Sequence, residues 1–240
     1  MVLDDIFLVR HAPSVSNRGG YIQGQIDTRL VPGHRTLIDH LTDLIVEVER
    51  LTPSESSVIH TFSSDSQRTY QTGDRIHRRL WDEHHIKSML TYTNLLRERS
   101  QGNLEGMPFG EAIPILSPNT NLPPTAENIY PLLYISNNTP NGESHEAVKA
   151  RLEQFLTEYV YRPNVNGIGI IAAHLISGMN YLRNMLTDGD MLARDYRNYP
   201  NLSVVRLSLD RNNFMRYVET GRYGPPNDNQ ANAPTISVNH

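Results

Sequence analysis

The chain has 240 residues, enough for one large α/β domain with a proper core or for two small ones. A net charge of −4 with no basic stripe gives no electrostatic reason to expect nucleic acid or an anionic membrane as partner. The absence of cysteine excludes disulfides, thiolate metal sites and cysteine nucleophiles.

The opening residues, MVLDDIFLVR, begin with acids and lack a basic stretch followed by an apolar one, so no signal peptide is expected. No apolar run approaches the ~18 residues of a membrane span, and a soluble, cytoplasmic protein is the default expectation. Ile6-Phe7-Leu8-Val9 is short, β-branched and aromatic, the pattern of a buried strand. It ends at Arg10-His11, before Ala12, Pro13 and Ser14 break it. A cation and an imidazole therefore stand where a strand gives way to a loop, the place where open α/β sheets bind ligands. Arg18 to Asp27 is polar and glycine-rich and reads as a loop, its glycines open to turn chemistry or a site role alike.

Leu37, Leu41, Leu44, Ile45, Val48 and Leu51 recur at three- and four-residue steps, which predicts a helix from Gly33 to Leu51, ended by Pro53. Ser57 to Phe62 reads as the second strand, with His60 buried or at an edge. The polar run Ser63 to Ser66 offers N-cap residues for a helix to about Trp81. That puts Arg68 in a first helical turn, where free N–H groups and the dipole favour anions. His84-His85 has no partner at ligand spacing and reads as surface. Lys87 to Tyr92 is a third strand, and Leu95 to Gly106 an irregular charged loop.

Pro114 to Asn141 is rich in proline and asparagine, which predicts an insertion or lid, about 107–141, rather than a second core domain. Within it, Ile129 to Ile135 suits a short helix or packs over a cleft. Asn141-Gly142-Glu143-Ser144 opens a helix to about Tyr161, with Leu152, Phe155, Leu156 and Tyr159 on one face. Gly167 to Ala173 is a buried strand that ends at His174, which repeats the arrangement at His11. Met179 to Leu186 reads as a helix, Ser203–Leu209 and Phe214–Val218 as a hairpin, and 221–240 as a flexible tail after a single domain of 1–220. Two arginines, two histidines and a glutamate thus fall at strand ends or adjoining loops. Paired guanidinium groups are what an anionic phosphate wants.

These stretches together resemble the histidine phosphatase superfamily, also called the phosphoglycerate mutase-like family. Arg10, His11, Ser14 and Asn17 match its first motif, with Ala12 where glycine is usual. Ser64, Arg68 and Thr72 match the second, the segment around Glu98 the third, and Gly142-Glu143-Ser144 and His174 the later ones. The resemblance implies a three-layer α/β/α sandwich with a mostly parallel central sheet. It implies a phosphatase in which His11 is the nucleophile and forms a phosphohistidine. Arg10, Arg68 and His174 would stabilise charge, and Glu98 would be the proton donor. Glu105 would be structural. Ser14, Asn17, Gln23, Gly24, Arg99 and Leu175 are the substrate-binding positions it implies. No cofactor or metal is needed, the partner is a small phosphorylated substrate, and oligomerisation is left open. Two alternatives remain at this point. A mutase-type phosphotransferase is disfavoured because Gly106-Met107-Pro108-Phe109-Gly110 lacks the lysine of that branch. A non-catalytic phosphate-binding module is motivated by Leu175, where the family has glycine, and the acid-phosphatase branch would have aspartate there.

Overall fold

The structure is a computed structural model that describes residues 3–51, 58–119, 122–136, 139–162, 167–192, 196–210 and 216–223. Six strands form one sheet: β1 (Asp5–Arg10), β2 (Ile59–Ser64), β3 (Ser88–Thr93), β4 (Ile168–Ala173), β5 (Val204–Leu209) and β6 (Tyr217–Tyr223). Their order is β3-β2-β4-β1-β5-β6. The β2–β3, β2–β4 and β1–β4 pairs are parallel, and β5 and β6 are antiparallel at one edge. This is the mostly parallel α/β architecture expected.

β1 shows why the sheet is central. Ile6 and Leu8 point into one apolar cluster, and Phe7 and Val9 into another on the opposite face. The helices α1 (Val15–Gly19), α2 (His34–Val48) and α3 (Gln67–Asp82) come early in the chain. Ile38, Leu41 and Ile45 of α2 and Ile76 and Leu80 of α3 cover the Phe7 face. The other face is covered by α4 (Phe109–Leu116), α5 (Ile129–Ile135), α6 (His145–Phe155) and α7 (Arg183–Asp188). The stretch read as an insertion therefore contributes two helices. Leu116, Ile129, Leu132 and Leu133 belong to the same cluster as the sheet residues.

α6 continues as a π-helical turn, Leu156–Val160, which carries the helix to within a residue of its expected end. Other boundaries differ from the expectation. The helix after β4 begins at Leu175, π-helical to Leu182 and then α7, four residues earlier than the apolar spacing suggests. β6 runs through Gly221 to Tyr223, where a tail was expected to have begun. Residues 224–240, Phe214 and Pro53 lie outside the described residues. No helix among the described residues is long and apolar enough to cross a membrane.

Candidate active site

The sheet order brings the two histidines together. β1 and β4 pair in register up to Arg10 opposite Ala173, so His11 and His174 leave adjacent strands at the same level. The His11 backbone N–H donates to the Ala173 carbonyl at 3.0 Å. The rings lie 5.4 Å apart in a T-shaped arrangement, with His11 3% and His174 0% exposed. β2 lies on the other side of β4 and delivers Arg68 through α3. Arg10 and Arg68 are both buried as well.

His11 is oriented by its own backbone neighbour. Its Nδ1 lies 2.8 Å from the Ala12 carbonyl, so Nδ1 carries the proton and Nε2 is left unprotonated. The turn before β5 supports this from outside. Asn201 Nδ2 donates to the His11 carbonyl at 2.9 Å and lies 3.5 Å from the Asn17 amide oxygen. The Tyr199 carbonyl accepts from the Arg10 guanidinium. Leu202, between this support and β5, is left-handed at φ 62°, a backbone state that costs a non-glycine residue roughly 1–3 kcal/mol and clusters at functional sites. Leu202 donates to the Arg10 carbonyl and Arg10 to the Ser203 carbonyl, so the turn is fixed to the end of β1 from both sides.

Arg68 is held by the glycine-rich loop, its two terminal nitrogens donating to the Gly24 carbonyl at 2.7 Å and the Ile26 carbonyl at 2.9 Å. Gly24 is left-handed, and a side chain there would run into the Glu105 carboxylate, which is why glycine stands at this position. Asp27 caps α3 by accepting from the Gln67 N–H. The Nε atoms of Arg10 and Arg68 and the Nδ1 of His174 are buried without a hydrogen-bond partner among the described residues. Arg10 and Arg68 line the cleft, whereas His174 lies behind it, its Nε2 3.2 Å from the Ser66 hydroxyl. Burial pushes both imidazoles well below their ordinary value near 6.5, with the Arg68 charge adding to it. Burial also brings Arg68 down to about 10, which leaves it charged at neutral pH.

Glu98 enters from the charged loop, and its carboxylate caps the helix that follows His174. Oε2 accepts from the Ile176 N–H at 3.0 Å, and Oε1 from Ser177 at 2.8 Å and Arg99 at 2.9 Å. A carboxylate offers about four acceptor sites, so one remains for a proton. This distant cap also explains the early helix start, for His174 itself makes no side-chain cap. Glu105 is structural: its Oε1 accepts from Gln25 N–H, Gln101 N–H and Ser100 hydroxyl. Glu143 pairs with Arg151 through both oxygens.

Two of the expected substrate-binding residues stand elsewhere. Arg99 is 1% exposed and donates to the carbonyls of Glu143, Leu133 and Ser136, so it ties α5 to the Glu98 loop. Ser14 is the N-cap of α1, bonded to Asn17 and Gln23. Asn17, Gln23, Gly24 and Leu175 do line the cleft, with Arg10, His11, Arg68 and Glu98. The cleft encloses about 40 Å³. One water needs ~10–15 Å³ of such space, so the cleft has room for a phosphoryl-sized group and opens to solvent beyond it. Among the described residues no cluster of histidine and carboxylate side chains suits a metal ion, and His84 bonds instead to Asp43.

Comparison with known families matches residues 6–218 to the histidine phosphatase superfamily, branch 1. The chain belongs to that superfamily. A probable phosphatase of Schizosaccharomyces pombe is 32% identical over 155 residues, 65% of this chain and 60% of that protein, so the match spans less than two thirds of the relative. Among solved structures, a phosphoglycerate mutase of Bacillus anthracis superposes with a TM-score of 0.68 at 17% identity, over 91% of each chain. A candidate alpha-ribazole-5′-P phosphatase of Escherichia coli gives 0.62 at 16%, over 90% of this chain and 96% of that one. At these identities the structural likeness concerns the fold alone. Within this histidine phosphatase fold, sequence reading passed over Asn201, Gln101, Tyr21 and Tyr130. The last three line the cleft, and Asn201 holds His11. Tyr21 lies in the glycine-rich loop, Gln101 in the segment around Glu98, and Tyr130 in the 129–135 stretch expected to form a short helix or pack over a cleft, whereas no strand end, motif or periodicity marks Asn201.

Proposed function

We propose that the protein is a phosphatase that hydrolyses a phosphomonoester through a phosphohistidine on His11. The observation that carries this reading is the unprotonated Nε2 of a buried His11, fixed by the Nδ1–Ala12 contact beside two guanidinium groups. Arg10 and Arg68 bind the phosphoryl oxygens, and the charge that spreads over those oxygens in the transition state strengthens these contacts. His11 Nε2 attacks phosphorus as the bond to the leaving oxygen breaks. A protonated Glu98 gives its proton to that oxygen. The same carboxylate then takes a proton from water as water attacks the phosphohistidine, which releases phosphate and restores Nε2. His174 stands against the His11 ring and adds a nitrogen without a partner.

The test is phosphate release from p-nitrophenyl phosphate, with acid-labile phosphoenzyme trapped from labelled ester. Release and trapping in the native chain, both lost in His11→Ala, support the reading. Release without a trappable intermediate overturns the covalent step, and phosphate binding without release returns the protein to the binding-module alternative. Isomerisation of 3-phosphoglycerate in place of phosphate release indicates the mutase-type reaction instead.

A further inference from the structure

We infer that the physiological substrate, on the phosphatase reading, is the phosphomonoester of an uncharged, apolar or aryl-bearing alcohol. Carboxylate-bearing and bisphosphorylated esters are excluded. Arg10 and Arg68 are the cations among the cleft-lining residues described, and both belong to the phosphoryl site. Around them stand Tyr21, Ile22, Tyr130, Leu133, Leu175 and Ile176. The neutral amides of Asn17, Gln23 and Gln101 join them, with His11, Gly24 and the Glu98 carboxylate completing the lining.

Three further arginines of the surrounding elements are engaged elsewhere, and exposed Arg18 and Arg29 are not among the residues that line the cleft. Arg99 holds three backbone carbonyls. Arg151 chelates Glu143 and bonds to the Leu95 carbonyl. Arg97 grips both oxygens of Asp65. A second negative group on the leaving alcohol that sits among these lining residues would lose hydration and find there no cation beyond the two that hold the phosphoryl group, which is costly. An apolar group would instead cover the exposed Tyr21 ring and the half-buried Tyr130, since Ile22, Leu133, Leu175 and Ile176 are already buried in the fold. The Arg10 guanidinium lies 5.7 Å from the centre of the Tyr130 ring, so the collar closes directly over the phosphoryl site. The cleft opens to solvent, and the leaving group extends outward past Tyr21, which is 44% exposed.

Two hydrolysis-inert probes with the same anionic head test this by calorimetric titration of the full chain: phenylphosphonate and 3-phosphonopropionate. Phenylphosphonate should bind on the order of 100-fold more tightly. Equal affinity, tighter binding of 3-phosphonopropionate, or no binding of phenylphosphonate at millimolar concentration overturns the inference. Tyr21→Lys, a change at an exposed ring, should narrow the ratio roughly threefold to fivefold by offering the carboxylate a cation at the rim. An unchanged ratio overturns the collar as the discriminating element. Because neither probe is turned over, this result stands apart from the hydrolysis reading, whose failure shows as absent phosphate release from phenyl phosphate.

Discussion

Glu98→Gln separates two roles that one carboxylate combines. In the native chain Oε1 accepts from two backbone N–H groups and Oε2 from a third. A glutamine keeps its carbonyl at the Oε1 position and turns its NH₂ toward the Ile176 N–H. That N–H is then a buried donor facing a donor, at a cost of ~1–3 kcal/mol. At ~2–4 °C per kcal/mol for a chain of this size, the melting temperature should fall by roughly 2–12 °C. The catalytic effect depends on the leaving group. An alkoxide needs the proton, so phosphorylation by an alkyl phosphate should slow by ~10²–10⁴. p-Nitrophenolate leaves without one and should show a much smaller loss in the same step. Rapid-quench measurement of phosphoenzyme formation with both esters, alongside thermal denaturation, gives the two numbers independently. Equal losses on the two esters would refute the donor role. So would a selective loss in Glu105→Gln, whose Oε1 contacts a glutamine carbonyl can still accept. An unchanged melting temperature would refute the capping geometry.

Other outcomes follow from the same contacts. His11→Ala should abolish turnover and phosphoenzyme while far-ultraviolet circular dichroism stays native. Asn201→Ala should lower kcat by up to ~10²-fold with KM little changed, through slight displacement of His11; a change in KM alone would point to substrate contact instead. His11 and His174 stay neutral in the fold well below 6.5, whereas in the unfolded chain they take protons near that value. The unfolded state then binds more protons, so urea midpoints should fall as pH drops below about 6.5, and His11→Ala should flatten that slope. For the same reason the acid limb of kcat/KM, corrected for ionisation of the ester, should lie well below 6.5. Arg99→Met strands three carbonyls and should cost at least ~3 kcal/mol in denaturant titration.

The legible part of the site consists of residues attached to strand ends and a helix start. An apolar run that stops at Arg10-His11 or His174 reveals both the strand and the side chain at its end, and the Ser-Asp run before Arg68 reveals a helix N-terminus. Glu98 was found by motif alone, and its cap on the helix after His174 could not be foreseen. That bond joins positions 78 and 79 residues apart, beyond any local pattern. Arg99 shows the opposite failure. A charged residue in a charged loop looks the same in sequence whether it meets substrate or three buried carbonyls. At the C-terminal end, Gly221 and the following proline- and asparagine-rich composition suggested a tail, but Tyr217 and Tyr223 are buried and β6 pairs along β5. Cross-strand pairing outweighed local composition there.

The Tyr199 and Asn201 contacts also set a timetable. These groups follow Arg10 and His11 by 189 and 190 residues. At ~5–20 residues per second of synthesis, the interval is roughly 10–40 s. For most of it, until β4 is made, the emerging polypeptide holds β1 without either neighbouring strand, apolar on both faces and unpaired on both edges. A polypeptide halted near residue 190 already carries Arg10, His11, Arg68, Glu98 and His174, yet lacks the segment that aims the first two. A chain cut short before this segment should therefore lack the contacts that orient Arg10 and His11, although every other residue of the cleft is in place.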